Sequence, residues 1–151
     1  MHRADQIVDA VVTAIRAWGP GSVRVFAHRR LSLNQDEAEL PAISVDYGED
    51  VPADDLDAFD MSGNIGSLLT VNVTGLVMNH DEKEVRRLLL ELRALVHAAI
   101  NRTNNLELAF VSGIFYGGAL PPEVDVANDQ VIGELTSQWG IRYRMTINSA
   151  E

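Results

Sequence analysis

The sequence predicts an α+β fold, a mainly antiparallel sheet of about five strands with two amphipathic helices packed on it. Three observations predict it. Two stretches, from about Ala4 to Trp18 and from Glu82 to near Asn101, repeat apolar residues at helical spacing. Other stretches alternate apolar and polar residues with the period of a sheet that buries one face. Helices and strands come in runs, without the alternation that β-α-β units would show. At 151 residues one domain is expected, burying roughly 70% of the surface its unfolded chain exposes, which needs neither disulfides nor a structural metal.

The first helix rests on Ile7, Val8, Val11, Val12, Ile15 and Trp18, and Gly19-Pro20-Gly21 stops it. Val23 and Val25 flank Arg24 in a short strand, and a polar loop from about His28 to Glu39 leads to a second strand from Ala42 to Tyr47. Pro41 is placed at that strand's start, where a missing donor is tolerated. In the third strand Leu69, Val71, Val73 and Val77 alternate with Thr70, Asn72 and Thr74. Asp81, with Glu84 three residues on, resembles a capping box and opens the second helix. Its apolar stripe is Val85, Leu88, Leu89, Leu92, Leu95, Val96, Ala99 and Ile100. A fourth strand is expected from Leu106 to Tyr116, and a long loop from Gly117 to Gly133. In the last strand Leu135, Trp139, Ile141, Tyr143, Met145 and Ile147 share one parity, broken only by Ser137, while Glu134, Thr136, Gln138, Arg142, Arg144 and Thr146 share the other. Fully extended it spans about 40 Å, more than a domain of this size holds, so a sister subunit is expected to cover its edge.

Charge is distributed unevenly. The chain carries a formal charge of -10, and between Arg30 and Lys83 it holds no lysine or arginine but many of its 22 acidic residues. Polyanions bind through cations that displace counterions, so this stretch repels nucleic acid and the whole chain disfavours sequence-specific DNA binding and anchoring to anionic lipid. Its densest part holds Glu49, Asp50, Asp54, Asp55, Asp57 and Asp60. Such a surface can be a solvated loop, hold cations, meet a basic partner, or line a passage that must not stick. There is no cysteine, which excludes thiol catalysis and Cys-ligated zinc and fits a reducing compartment. Asp9 interrupts the early apolar run from Ile7 to Ile15, so it reads as neither a signal segment nor a membrane span, and a soluble protein made in the cytoplasm is expected.

Catalytic signals are thin, and no enzymatic activity is expected. His2, His28, His80 and His97 lack the i+3 or i+4 partner of a helical metal site, and Ser112-Gly113 lacks the preceding glycine of a nucleophile elbow. Gly117-Gly118 and Gly19-Pro20-Gly21 are turn signals without a phosphate-loop lysine. Asp55 and Asp57 match the first two ligands of an EF-hand loop, but Phe59 and Gly66 stand where later ligands belong, so the match fails. A looser calcium or magnesium site on Asp54, Asp57 and Asp60 is an alternative reading of the same loop; no resident metal or cofactor is expected.

An amphipathic helix, a short strand and polar loop, then Leu40-Pro41-Ala42-Ile43-Ser44-Val45, an acidic turn entering a long strand, a helix from Glu82 to Asn101, and a closing strand with Trp139-Gly140-Ile141-Arg142-Tyr143 follow one another. This order resembles the tail terminator proteins of long-tailed bacteriophages, also called minor tail protein U-like or tail completion proteins. The resemblance covers most of the chain and departs from the family pattern in the longer segment from Gly117 to Gly133. It implies a non-enzymatic virion protein at the head-proximal end of the tail, a homo-hexameric ring whose partners are the tail tube protein and the head-tail connector protein. It implies too that DNA passes through without specific binding, with Glu49, Asp50, Asp54, Asp55, Asp57 and Asp60 facing the channel or its rim. Arg86, Arg87 and Arg93 are candidate subunit contacts; Arg86 and Arg87 either meet acids of a neighbour or pair within their helix with Glu82, Glu84 or Glu91. Another head-tail connector or neck component is the nearest alternative, and a metal-dependent enzyme using the acidic loop is an alternative of a different class.

Overall fold

Helix α1 (Arg3–Trp18) forms where the sequence repeats apolar residues at helical spacing, and the His2 Nδ1 accepts the Ala4 amide at 3.0 Å to cap it. Ala4, Ile7, Val8, Val11, Val12 and Ile15 make its buried stripe. Trp18, expected on that stripe, is half exposed beneath the Arg102 guanidinium. This computed structural model describes residues 2–28, 40–52, 64–127 and 129–146. After α1 come β1 (Arg24–Ala27), β2 (Ala42–Pro52), β3 (Asn64–Asn79), α2 (Glu82–Ile100), β4 (Val111–Ala119), β5 (Glu123–Ala127) and β6 (Gln130–Thr146).

The result is an α+β fold with two helices and one six-stranded, mostly antiparallel sheet. The strands run in the order β1-β2-β3-β6-β4, and β5 joins β4 on the outer side of β6. Only the β1–β2 pair is parallel. The expected alternation holds in β6, where Leu135, Ser137, Trp139, Ile141 and Tyr143 are all buried. Ser137, the polar break in that row, donates to the Val73 carbonyl and accepts from the Trp139 indole, so its hydroxyl is satisfied in the core.

Both helices lie on one face of the sheet. Val85, Leu89, Leu92, Val96, Ala99 and Ile100 of α2 meet the inward residues of β3 and β6, while α1 packs on α2, β1 and β2. The other face carries a small apolar cluster of Ala42, Leu76 and Ile132 at one end, supported by Phe26, Leu40 and Met78.

Five expectations are corrected. The segment from Gly117 to Gly133 is not one loop: it contains the end of β4, all of β5 and the start of β6, because backbone pairing with β6 outweighs the local turn signal of Gly117-Gly118, and Pro121-Pro122 only breaks the chain between β4 and β5. β4 starts at Val111 rather than Leu106, since Leu106 and Glu107 adopt φ of 54° and 60° in a turn that the Asn105 side chain closes on the Glu107 amide. Pro41 lies just before β2 instead of in it, its carbonyl accepting the Arg24 amide. Asp81 does cap α2, accepting from the Lys83 amide at 3.1 Å, but Glu84 turns away to Arg87 and no capping box closes. Finally, the long last strand is not an edge. β3 covers one side of β6 along its whole length and β4 with β5 cover the other, so its bareness gives no reason for a sister subunit.

Candidate functional site

The uncovered sheet face is built by parity. Residues on β2, β3 and β6 whose neighbours point into the core must point away from it, and the register aligns them in rows. Ser44, Thr74 and Thr136 form one row; Asp46, Asn72 and Gln138 form the next. Along β6, Glu134 follows two residues before Thr136, with Glu123 of β5 opposite it. All of these but Glu123, with Tyr47, Gly48 and Leu120, line a groove of about 370 Å³ whose lining holds no lysine or arginine.

The polar groups in the groove are unequally satisfied. The Thr74 and Thr136 hydroxyls share a hydrogen bond of 3.0 Å, and one Asp46 oxygen accepts the amide of Tyr47. The Asn72 Oδ1 is buried and has no hydrogen-bond partner among the described residues. Burial pushes the Glu134 carboxyl above the ordinary carboxylate range, and the charge of Glu123 across the strand pair adds to it. The groove is thus an acceptor-rich, cation-free surface that repels polyanions and suits a cationic or N–H-rich partner.

A second concavity of about 620 Å³ lies at the helix side, lined mainly by Leu88, Leu92 and Leu95 of α2 against Val77, Met78 and Leu40. The sheet edges differ in charge. β1 presents exposed Arg24, whereas β5 presents exposed Glu123 and Asp125. On the same side of the sheet Phe115 of β4, Leu120 and Val126 of β5 are 54%, 50% and 67% exposed.

The candidate residues read from the sequence fall in three places. Glu49 and Asp50 stand exposed on β2, where its register with β3 shifts. Asp50 accepts a 2.5 Å hydrogen bond from the Tyr143 hydroxyl. Burial, then that bond and the Asp50 charge, push the Tyr143 phenol above its ordinary value. Asp54, Asp55, Asp57 and Asp60 lie outside the described residues. On α2, Arg86 pairs with Glu82 at 3.1 Å, and Arg87 bridges Glu84 and Glu91. The Arg87 hydrogen bond lowers the Glu84 carboxyl and Glu84 raises the Arg87 guanidinium in turn. Arg93 instead lies 5.7 Å over the Tyr116 ring.

Two features escaped the sequence reading. His97 is held between Tyr116 and Trp139, ring centroids 4.4 and 4.8 Å away, with a buried Nε2 that has no partner among the described residues. Burial, then Arg93, lowers its pKa. The groove also escaped, although the polar parity of Asn72, Glu134 and Gln138 was visible; what the sequence lacks is the pairing that sets β2, β3 and β6 side by side. Among the described residues there is no cluster of three acidic, histidine or cysteine side chains able to hold a metal, and no helix long and apolar enough to cross a membrane.

No family model matches this chain. No curated protein matches it either. Among solved structures it is similar to a chain of the "Virion of native gene transfer agent (GTA) particle", at 13% identity over 90% of this chain and 94% of that one, with a TM-score of 0.43. A likeness at that level assigns no role to this chain.

Proposed function

We propose that this chain is a non-enzymatic structural virion protein, a terminator of the phage tail that assembles into a ring, caps the tail tube and offers a surface for joining the head. The observation that carries this reading is the pair of unlike sheet edges. A head-to-tail ring needs two different surfaces that fit each other, and Arg24 is exposed on edge strand β1 while Glu123 and Asp125 are exposed on β5 at the other side of the sheet. The exposed Val126 on the same strand and Leu120 just before it supply apolar area that such a contact desolvates. The order of elements supports the same role, and so does the cation-free stretch from 31 to 82, which lets DNA pass a ring without adhering.

Light scattering and negative-stain images of the purified chain, alone and mixed with tail tubes, test the proposal. Rings that seat on tube ends are expected. Arg24→Glu should dissociate them, and combining it with Glu123→Lys and Asp125→Lys should restore them; a chain that stays monomeric in every mixture would sink the reading.

A further inference from the structure

We propose that the groove on the bare sheet face is a docking site for an extended segment of a partner polypeptide that carries two basic side chains about four residues apart. The inference stands on the groove's own chemistry and holds whether or not the chain forms a ring. Its carboxylates are the first step. Asp46 lies on β2, in the row of Gln138, whereas Glu134 lies on β6 four positions earlier. At about 3.3 Å per residue and about 4.8 Å between strands, these two residues are about 16 Å apart.

That separation decides between occupants. A divalent cation, with bonds of about 2.3–2.6 Å, cannot reach both carboxylates. Two cations can, and an extended chain with basic residues at i and i+4 places them about 13 Å apart on one face, within reach of both acids through flexible side chains. Between the acids the groove is lined by Thr74, Thr136, Gln138 and Asn72, whose Oδ1 is buried without a hydrogen-bond partner among the described residues. A peptide supplies a backbone N–H donor at every residue between its charges, whereas a polyamine donates only from its charged nitrogens. The raised pKa of Glu134 shows the same deficit: a partly buried carboxyl beside Glu123, with no cation lining the groove.

A different polypeptide is favoured over a second copy because most of this chain's described arginines are engaged at home, and exposed Arg24 has no lysine or arginine four positions away. Arg3 lies over Phe110, Arg16 donates to the Val25 carbonyl, Arg86 and Arg87 hold α2 carboxylates, and Arg93 and Arg102 lie over Tyr116 and Trp18.

The test uses the full chain, isotopically labelled, titrated at near-physiological salt with two synthetic Gly/Ser peptides of equal charge, one with arginines at i and i+4 and one with adjacent arginines. Expected are amide shifts at Asn72, Thr74 and Thr136, and tighter binding of the spaced peptide. Asp46→Asn combined with Glu134→Gln should weaken that peptide by about tenfold or more, the scale of one lost charged hydrogen bond. Glu107→Gln with Asp129→Asn removes the same charge from surface turns and should leave affinity unchanged; a thermal melt shows that both variants fold. The proposal is overturned if neither peptide moves groove amides, if the control variant loses as much affinity, or if spermine binds as tightly as the spaced peptide. It is overturned too if the groove variant breaks up an oligomer of the chain, since the occupant is then a second copy.

Discussion

Gly133 of β6 lies directly against α2. A Cβ built there would lie 2.3 Å from Val85 Cγ1 and 2.9 Å from Leu89 Cδ1, against about 3.5–4.0 Å for carbon atoms in ordinary contact. Gly133→Ala therefore forces α2 and β6 apart locally by more than about 1 Å, or drives Val85 from its rotamer. Overpacking of this kind costs roughly 1–3 kcal/mol, and contact this close puts the site near about 3. The stiffer unfolded chain returns roughly 0.4–1 kcal/mol, leaving a net loss of about 2. For a chain of this length that lowers Tm by roughly 4–8 °C. Urea unfolding followed by circular dichroism measures it, with Val85→Ala as the second arm of a double-mutant cycle. Removing the Val85 methyls opens room for the new one, so the double variant should be more stable than the sum of the single losses by about 1 kcal/mol or more. Wild-type stability in Gly133→Ala, or strict additivity in the cycle, would refute the packing argument.

Tyr143→Phe leaves Asp50 without its donor, and because Asp50 is exposed and water replaces the bond, a loss of only about 1 kcal/mol is expected in chemical denaturation. Glu134 has a raised carboxyl pKa, so its contribution to stability is full below its unfolded value and is lost as pH rises through its folded value. Glu134→Gln should then stabilise the chain at pH 7 by on the order of 0.5 kcal/mol, a gain that vanishes in melts at pH below the ordinary carboxylate range. Arg86→Glu with Arg87→Glu replaces three exposed intrahelical pairs by repulsions and should lower the denaturation midpoint slightly; unchanged ring images would show that these arginines do not hold subunits together. Lys in place of Asp54, Asp55 and Asp57 reverses charge in the cation-free stretch, and the folded variant should retain DNA at low salt where the parent chain does not, a difference read on a DNA column.

Local chemistry was legible in the sequence, and pairing across the sheet was not. The Asp81 cap, the stripe of α2 and the parity of β6 all follow from residues within a few positions of one another, and the burial of Val85, Leu89, Leu92, Trp139 and Tyr143 matches them. The ends of strands were less legible. β3 extends from Asn64 to Asn79, because backbone pairing with β6 carries the strand through Gly66, Ser67, Gly75 and Asn79, residues that weak intrinsic preference would leave outside it. β5 was hidden for a related reason: Pro121 and Pro122 mark the break before it, while its five residues are fixed by pairing to β6. The groove depends on Ser44, Thr74 and Thr136 meeting across long sequence separations, which no local pattern encodes.

One strand, β6, holds both the core and the bare face, and this ties the predictions together. Gly133 and Glu134 are chain neighbours. Successive side chains on a strand point to opposite faces, so the first meets Val85 and Leu89 while the second meets the polar groove. A methyl added at Gly133 should destabilise by about 2 kcal/mol, and removal of the charge at Glu134 should stabilise by on the order of 0.5. Opposite signs at adjacent positions follow only from this register. Were β6 shifted by one residue against β3, Glu134 would enter the core against α2 and Trp139 would face solvent, so Gly133→Ala would lose its cost and Glu134→Gln would stabilise by more. Measuring both in one denaturation series therefore tests the register on which the groove, the open edges and the partner proposal all depend.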